Sequence, residues 1–254
     1  MSAASMAGKL FATLPAITSM YVSLMGRCIL CLQDSCGSED LCRYCEADLP
    51  RFADAAIFVA RGDCEPYQRQ HLQLSSHIVP AVVAPLTYER EIIWLINQQK
   101  QAGGRIASRV LANLLATSIV TAYRHRDLPA RIVPVPLHWR QDLRRGMNQS
   151  QVLAQWLTQR LGVRSQPDWI VRHRATAKQS SLGYGERQTN VAGAFRTTPR
   201  GNAQIKDQTI AVVDDVITTG ATLNAVAACL FDAGAKEVHL WAPARAPYST
   251  SGAT

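Results

Sequence analysis

The chain has 254 residues, 47% of them hydrophobic, which is enough for one ordinary globular domain plus a small appended module and argues against disorder as the default reading. Its formal charge of +8 is unevenly placed: residues 1–130 hold 12 basic and 11 acidic side chains, residues 131–200 hold 12 and 3, and residues 201–254 hold 3 and 5. The middle block therefore attracts polyanions such as pyrophosphate, nucleotides or a nucleic-acid backbone, with an arginine-rich solvated surface as the plain alternative.

No apolar run reaches the roughly 18 residues that span a bilayer. Residues 1–25 read as a leader. Lys9 precedes an apolar stretch from Leu10 to Met25, but Thr13, Pro15, Thr18 and Ser19 interrupt it. A frayed helix or a mis-assigned start near Met20 or Met25 fits better than a cleaved signal.

Four of the seven cysteines form Cys28-x2-Cys31-x10-Cys42-x2-Cys45. Two such knuckles supply four thiolates, the ligand set of a closed tetrahedral zinc site, and metal binding compensates for the small core that a short segment can bury. A zinc-ribbon-like module over residues 26–65 is expected, with reduced thiols in a cytoplasmic protein. A closed site leaves no coordination position for substrate, so the module is structural or binds a partner. Cys36 lies between the knuckles and could replace one ligand. Cys64, His71 and His77 could be the remains of a second site, but three ligands at irregular spacing fit ordinary polar surface residues better. Cys229 reads as a small core residue on a helix.

Residues 66–254 read as one larger domain. Tyr88, Ile92, Leu95 and Ile96 recur at helical spacing and lead to Lys100 before the Gly103-Gly104 break. A second apolar helix runs through Val110–Val120. Arg131–Pro136 is a β-branched run whose prolines suit a strand end, and it opens onto the basic block. A helix at Ser150–Leu161, a long polar stretch from Arg172 to Asn190, and a strand at Ile210–Val213 follow. A helix from about Leu223 to Ala233, stopped by Gly234, leads to a last strand around Val238–Trp241, and Pro247–Thr254 reads as a loose tail. Strands alternating with helices predict an α/β fold built on an open, mostly parallel sheet, which binds ligands at the carboxyl ends of its strands.

The strand at Ile210–Val213 ends in two carboxylates, Asp214 and Asp215. Thr218, Thr219, Gly220, Ala221 and Thr222 follow, all small. Their backbone N–H groups can approach an anion, the threonines add hydroxyl donors, and the next helix points its positive end at the loop. Neither a G-x-x-x-x-G-K-[ST] loop nor a G-x-G-x-x-G turn after a strand occurs. Two acids ahead of a phosphate cradle suit a ligand with cis hydroxyls beside its phosphate, as in ribose 5-phosphate. The plain alternative, an Asp capping a helix, needs one acid and no threonine-rich loop.

This loop resembles the motif that binds phosphoribosyl pyrophosphate (PRPP) in type I phosphoribosyltransferases. The likeness spreads over most of the chain: the CxxC pairs, the Tyr88 to Lys100 helix, Val133-Pro134-Val135-Pro136, Arg144-Arg145-Gly146-Met147-Asn148-Gln149, Gln179 to Arg187, Asn190 to Phe195 and the acidic loop together resemble the ComF family, especially its GntX-type members. The fuller pattern's second CxxC set is represented here only by Cys64, and Met147 stands where the family has an aromatic residue.

The resemblance implies a type I phosphoribosyltransferase sheet behind a four-cysteine zinc module. Asp214 and Asp215 would be the catalytic pair that holds the ribose hydroxyls, Thr218 to Thr222 the 5-phosphate cradle, and Arg144, Arg145 and Asn148 contacts to pyrophosphate and its Mg²⁺. Arg187 would be a lid residue, with a surface arginine as the alternative. It also implies either a PRPP-binding protein that engages single-stranded DNA or DNA-uptake machinery in transformation or use of external DNA, or an active transferase. Nothing in Val238 to Arg245 identifies an acceptor.

Overall fold

The computed structural model describes residues 26–34, 40–58, 81–101, 104–137, 147–174, 191 and 193–247. The leader, Cys36, Cys64, His71, His77, Arg144, Arg145 and Arg187 lie outside these residues.

The cysteine segment carries a short helix, α1 (Arg43–Ala47), and leads into β1 (Ala56–Phe58). The body then runs β2 (Ala81–Val83), β3 (Leu86–Thr87), α2 (Arg90–Gln99), α3 (Arg105–Ala122), β4 (Arg131–Pro134), α4 (Gln149–Leu161) and β5 (Arg164–Ser165). A hairpin of β6 (Ile170–Arg172) and β7 (Phe195–Thr197) precedes α5 (Pro199–Gln204). The chain finishes with β8 (Thr209–Val213), β9 (Val216–Ile217), α6 (Ala221–Asp232), β10 (Glu237–Trp241) and β11 (Ala244–Arg245).

The main sheet has the order β1-β2-β10-β8-β4-β5. Every neighbouring pair is parallel except β1 with β2. Its central strands are buried on both faces, and their alternate side chains feed two cores, as the period of two requires. Ala81, Val83, Ile132, Ala211, Val213 and Trp241 face α2, α3 and α4. Val82, Val133, Ile210, Val212, Val238 and Leu240 face α6 and the β6–β7 hairpin. Within the first layer, Tyr123 after α3 meets the Nδ1 of His239 at 2.5 Å and accepts a hydrogen bond from Trp241 Nε1 at 3.2 Å.

The crossover from β4 through α4 reaches β5 on one side, whereas that from β8 through α6 reaches β10 on the other. The adjacent strands β4 and β8 therefore flank the point where the connections diverge, the crevice in which open α/β sheets hold ligands.

Three central strands are interrupted at the same level. Strand β2 continues after Ala84-Pro85 as β3, β10 continues after Ala242-Pro243 as β11, and β8 continues after Asp214-Asp215 as β9. The three extensions pair again in a smaller sheet of order β3-β11-β9, all parallel. Two of the interruptions contain proline, which cannot donate to a ladder. The third contains the acidic pair.

The cysteine segment shares its core with the body. Cys28, Ile29, Leu30, Leu41, Cys42 and Leu49 belong to the same buried cluster as the apolar faces of α2 and α3. Arg109 of α3 makes two hydrogen bonds of 2.6 Å to the Asp40 carboxylate, whose side chain is 4% exposed.

Candidate functional site

The acidic pair lies at the carboxyl end of β8, facing the start of α4 across the crevice. Asp214 Oδ1 accepts from the Ser150 hydroxyl at 3.0 Å and from the Asp215 N–H at 2.8 Å. Ser150 is delivered by the first turn of α4, and Asn148 fixes that turn. As N-cap, its side-chain oxygen accepts from the N–H groups of Ser150 at 3.1 Å and Gln151 at 3.4 Å, and its amide donates to Val135 O at 3.1 Å. Asn148 therefore ties the end of β4 to the start of α4. Asp215 pairs with Lys100 Nζ at 2.8 Å.

Asp214 keeps some solvent contact, yet protein crowds its carboxyl closely. Desolvation and then the charge of Asp215 push it up to about 7, against the opposing pull of the Asp215 N–H, the Ser150 hydroxyl and the Lys100 ammonium. Arg172, at the end of β6, lies over the Phe195 ring at 5.5 Å. Burial lowers its pKa, and attraction to Asp214 works the other way.

The loop that the sequence suggests as a phosphate cradle leads into the opening of α6. Gly220 is the N-cap at φ +73°, a left-handed conformation that glycine adopts without Cβ strain. Buried Thr219 accepts from the Ala221 N–H at 3.4 Å, and the first helical bond runs from Asn224 N to Gly220 O at 2.8 Å. No acidic residue stands in the first turn of this 12-residue helix, whose positive end favours negative charge. The acidic pair thus stands a few residues before the glycine-capped opening of a 12-residue helix.

The four sulfurs of Cys28, Cys31, Cys42 and Cys45 lie within 4.8 Å of one another. Cys31 Sγ and Cys42 Sγ are 3.7 Å apart, far beyond the roughly 2.05 Å of a disulfide. A tetrahedral ion with metal–sulfur bonds of about 2.3 Å requires an edge of about 3.8 Å, which this pair matches. The Cys45 N–H donates to Cys42 Sγ at 3.4 Å, supporting thiolate charge. The quartet therefore suits a metal ion. Cys229 is half-buried on α6, with burial pushing its thiol up to about 11, which agrees with a packing role.

The sequence named the cysteine quartet, whose sulfurs the structure brings together, and Asp214, Asp215, Asn148 and the Thr218 to Thr222 loop, which lie at the end of β8 and the starts of α4 and α6. It did not name Lys100 or Ser150 as partners of the acidic pair. The helical pattern ending at Lys100 and the serine opening the α4 pattern were both visible, but nothing local says which strand end they reach.

This parallel α/β fold is that of a phosphoribosyltransferase domain, and the family model described as "Phosphoribosyl transferase domain" matches residues 148–251. Competence protein F of Haemophilus influenzae is 30% identical over 233 residues, covering 90% of this chain and 94% of that protein. DNA utilization protein YhgH of Salmonella typhi is 36% identical over 162 residues, covering 63% of this chain and 70% of that protein. The chain belongs to the family of these two proteins, the ComF family. Among solved structures, "Structure of the allosteric regulatory enzyme of purine biosynthesis" overlaps 55% of this chain and 26% of its own at 17% identity and a TM-score of 0.37. A mutant hypoxanthine phosphoribosyltransferase from Trypanosoma cruzi, complexed with the product IMP, overlaps 57% of this chain and 75% of its own at 14% identity and a TM-score of 0.36. No helix among the described residues is long and apolar enough to cross a membrane.

Proposed function

We propose that the chain binds PRPP together with Mg²⁺ in the crevice between β4 and β8, and that it serves in DNA uptake, transformation or use of external DNA. The observation that carries the ligand is the acidic pair at the strand interruption, set a few residues before a glycine-capped helix whose first turn carries no acidic residue. The names of the relatives support the biological role. The basic block of residues 131–200 suits a single-stranded DNA backbone.

In this reading the Asp214 and Asp215 carboxylates accept from the ribose 2- and 3-hydroxyls, while the backbone of Thr218 to Thr222 takes the 5-phosphate. Arg144 and Arg145 take pyrophosphate oxygens, Asn148 orients the α4 turn beside them, and Arg187 closes over the ligand. Mg²⁺, when bound, offsets charge on the pyrophosphate. The cysteine quartet holds structural zinc, which suits a reducing, cytoplasmic setting.

A second reading, an active Mg²⁺-dependent transferase joining ribose 5-phosphate to a nitrogen nucleophile, draws on the transferase family model. One set of measurements separates these ideas. Calorimetric titration with PRPP–Mg²⁺ should show binding by wild type and a loss of roughly 10- to 100-fold in Asp214→Asn/Asp215→Asn, the worth of one hydrogen bond to a charged group; equal affinity would refute the role of the acids. Pyrophosphate release that stays at background across nucleobases and simple amines would sink the transferase reading. Single-strand binding that is absent at low salt, or insensitive to added salt, would remove the DNA role from the basic block.

A further inference from the structure

The acidic pair has a cation already in place. Lys100 follows α2, a helix anchored by buried Ile92, Leu95, Ile96 and Gln99. The turn into α3 is tight, because Gly104 packs so closely that a Cβ there would lie 2.4 Å from Gln98 O. These constraints fix where Lys100 leaves the helix, and its ammonium reaches Asp215 at 2.8 Å with the lysine side chain still 30% exposed. A helix on one side of the crevice therefore sends a half-exposed cation to a carboxylate at the end of β8.

The neighbours of the two contact residues add an independent observation. Gln99 is fully buried, and neither its amide nitrogen nor its amide oxygen has a hydrogen-bond partner among the described residues. Gln149, 3% exposed, lacks a partner for its amide nitrogen in the same sense. One adjoins Lys100, which holds Asp215, and the other adjoins Ser150, which holds Asp214. Buried amides without partners are costly, and these two stand next in sequence to the residues that hold the acidic pair.

Building on the PRPP reading, we infer that Lys100 is a binding residue of the sugar-phosphate site: it holds Asp215 before the ligand arrives and turns to the ligand's anionic groups when Asp215 takes up ribose hydroxyls. Two adjacent carboxylates repel a polyanion, and a lysine between them and solvent removes part of that repulsion. Lysine suits such an exchange because its ammonium is a rotatable point charge with three donors on a flexible stem.

The test is calorimetric titration of PRPP–Mg²⁺ into wild type, Lys100→Met and Lys100→Arg at two salt concentrations, with thermal melts of each. Lys100→Met should bind roughly tenfold or more weakly, as loss of a charge-assisted contact implies. The deficit should shrink as salt rises, Lys100→Arg should recover most of the affinity, and the melts should stay close to wild type. A Lys100→Met protein that binds as well as wild type, or better, overturns the inference: Lys100 would then be an inert or competing counter-ion. If Lys100→Met melts low, Lys100→Arg and Lys100→Gln decide, and Gln binding equal to Arg binding also overturns it. Wild type that fails to bind PRPP–Mg²⁺ removes the PRPP reading itself, whereas normal wild-type binding with unaffected variants removes only the role of Lys100.

Discussion

Asp214 sits where neutral and charged forms are both accessible near physiological pH. Its carboxyl is pushed up to about 7, from a reference near 3.8, chiefly by desolvation. The folded state therefore holds a proton that the unfolded chain has lost, so this residue's contribution to stability is fully present below about 4 and is lost as pH rises through about 7. Solvent contact at Asp214 moderates the size of the effect. Melting of the ligand-free protein should show wild-type stability declining from pH 5 to pH 8, and Asp214→Asn should remove much of that decline and melt higher than wild type at pH 8. A wild-type profile that rises over this range would show that Asp214 is not desolvated in the folded protein. Ligand binding follows the opposite trend if the ionised carboxylate accepts ribose hydroxyls.

At the scale of elements, the start of α4 does two tasks with one residue. Asn148 caps the helix and donates to Val135 O, so its replacement by alanine removes both the cap and the tie to β4. Asn148→Ala should cost about 1 to 2 kcal/mol in urea unfolding, the upper part of the usual range for a cap, and it should weaken PRPP–Mg²⁺ binding by letting Ser150 drift from Asp214. An unfolding midpoint equal to wild type would show that water replaces the cap fully. The same contrast explains what was legible in advance. Helices α2, α4 and α6 announce themselves by apolar residues at the helical period, and strands β4, β8 and β10 by short apolar runs bounded by polar or turn residues. Ala81-Val82-Val83 and Leu86-Thr87 are three and two residues long, too short to show any period, yet β2 lies between β1 and β10 in the main sheet. The acids and the small-residue loop were readable because their chemistry is contiguous in sequence. Ser150 and Lys100 were not, because their partners lie on distant elements and only the strand order brings them together.

For the whole molecule, the cysteine segment and the α/β body meet in one core. Cys28 and Cys42 are buried in the same cluster as Leu95, Leu111 and Leu115, and the Asp40–Arg109 pair closes the contact. With a metal ion held by the quartet, as proposed above, its loss should therefore unsettle α2 and α3 as well as the segment itself. Stripping metal with a strong chelator, or replacing Cys31 with serine, should lower Tm by roughly 5 °C or more in a single cooperative transition. A separate early transition with the main one unmoved would mean that the segment melts on its own.

The interruption shared by β2, β10 and β8 bears on how freely this site can change. Two of the three strands pass it with proline and none of the three extends its ladder through it, so the architecture tolerates that level being filled by residues chosen on other grounds. The acidic pair occupies a vacancy in the scaffold's requirements. Chemistry there can be rewritten, or silenced, with little penalty to the sheet, which makes this strand end a natural place to graft a different ligand onto the same frame.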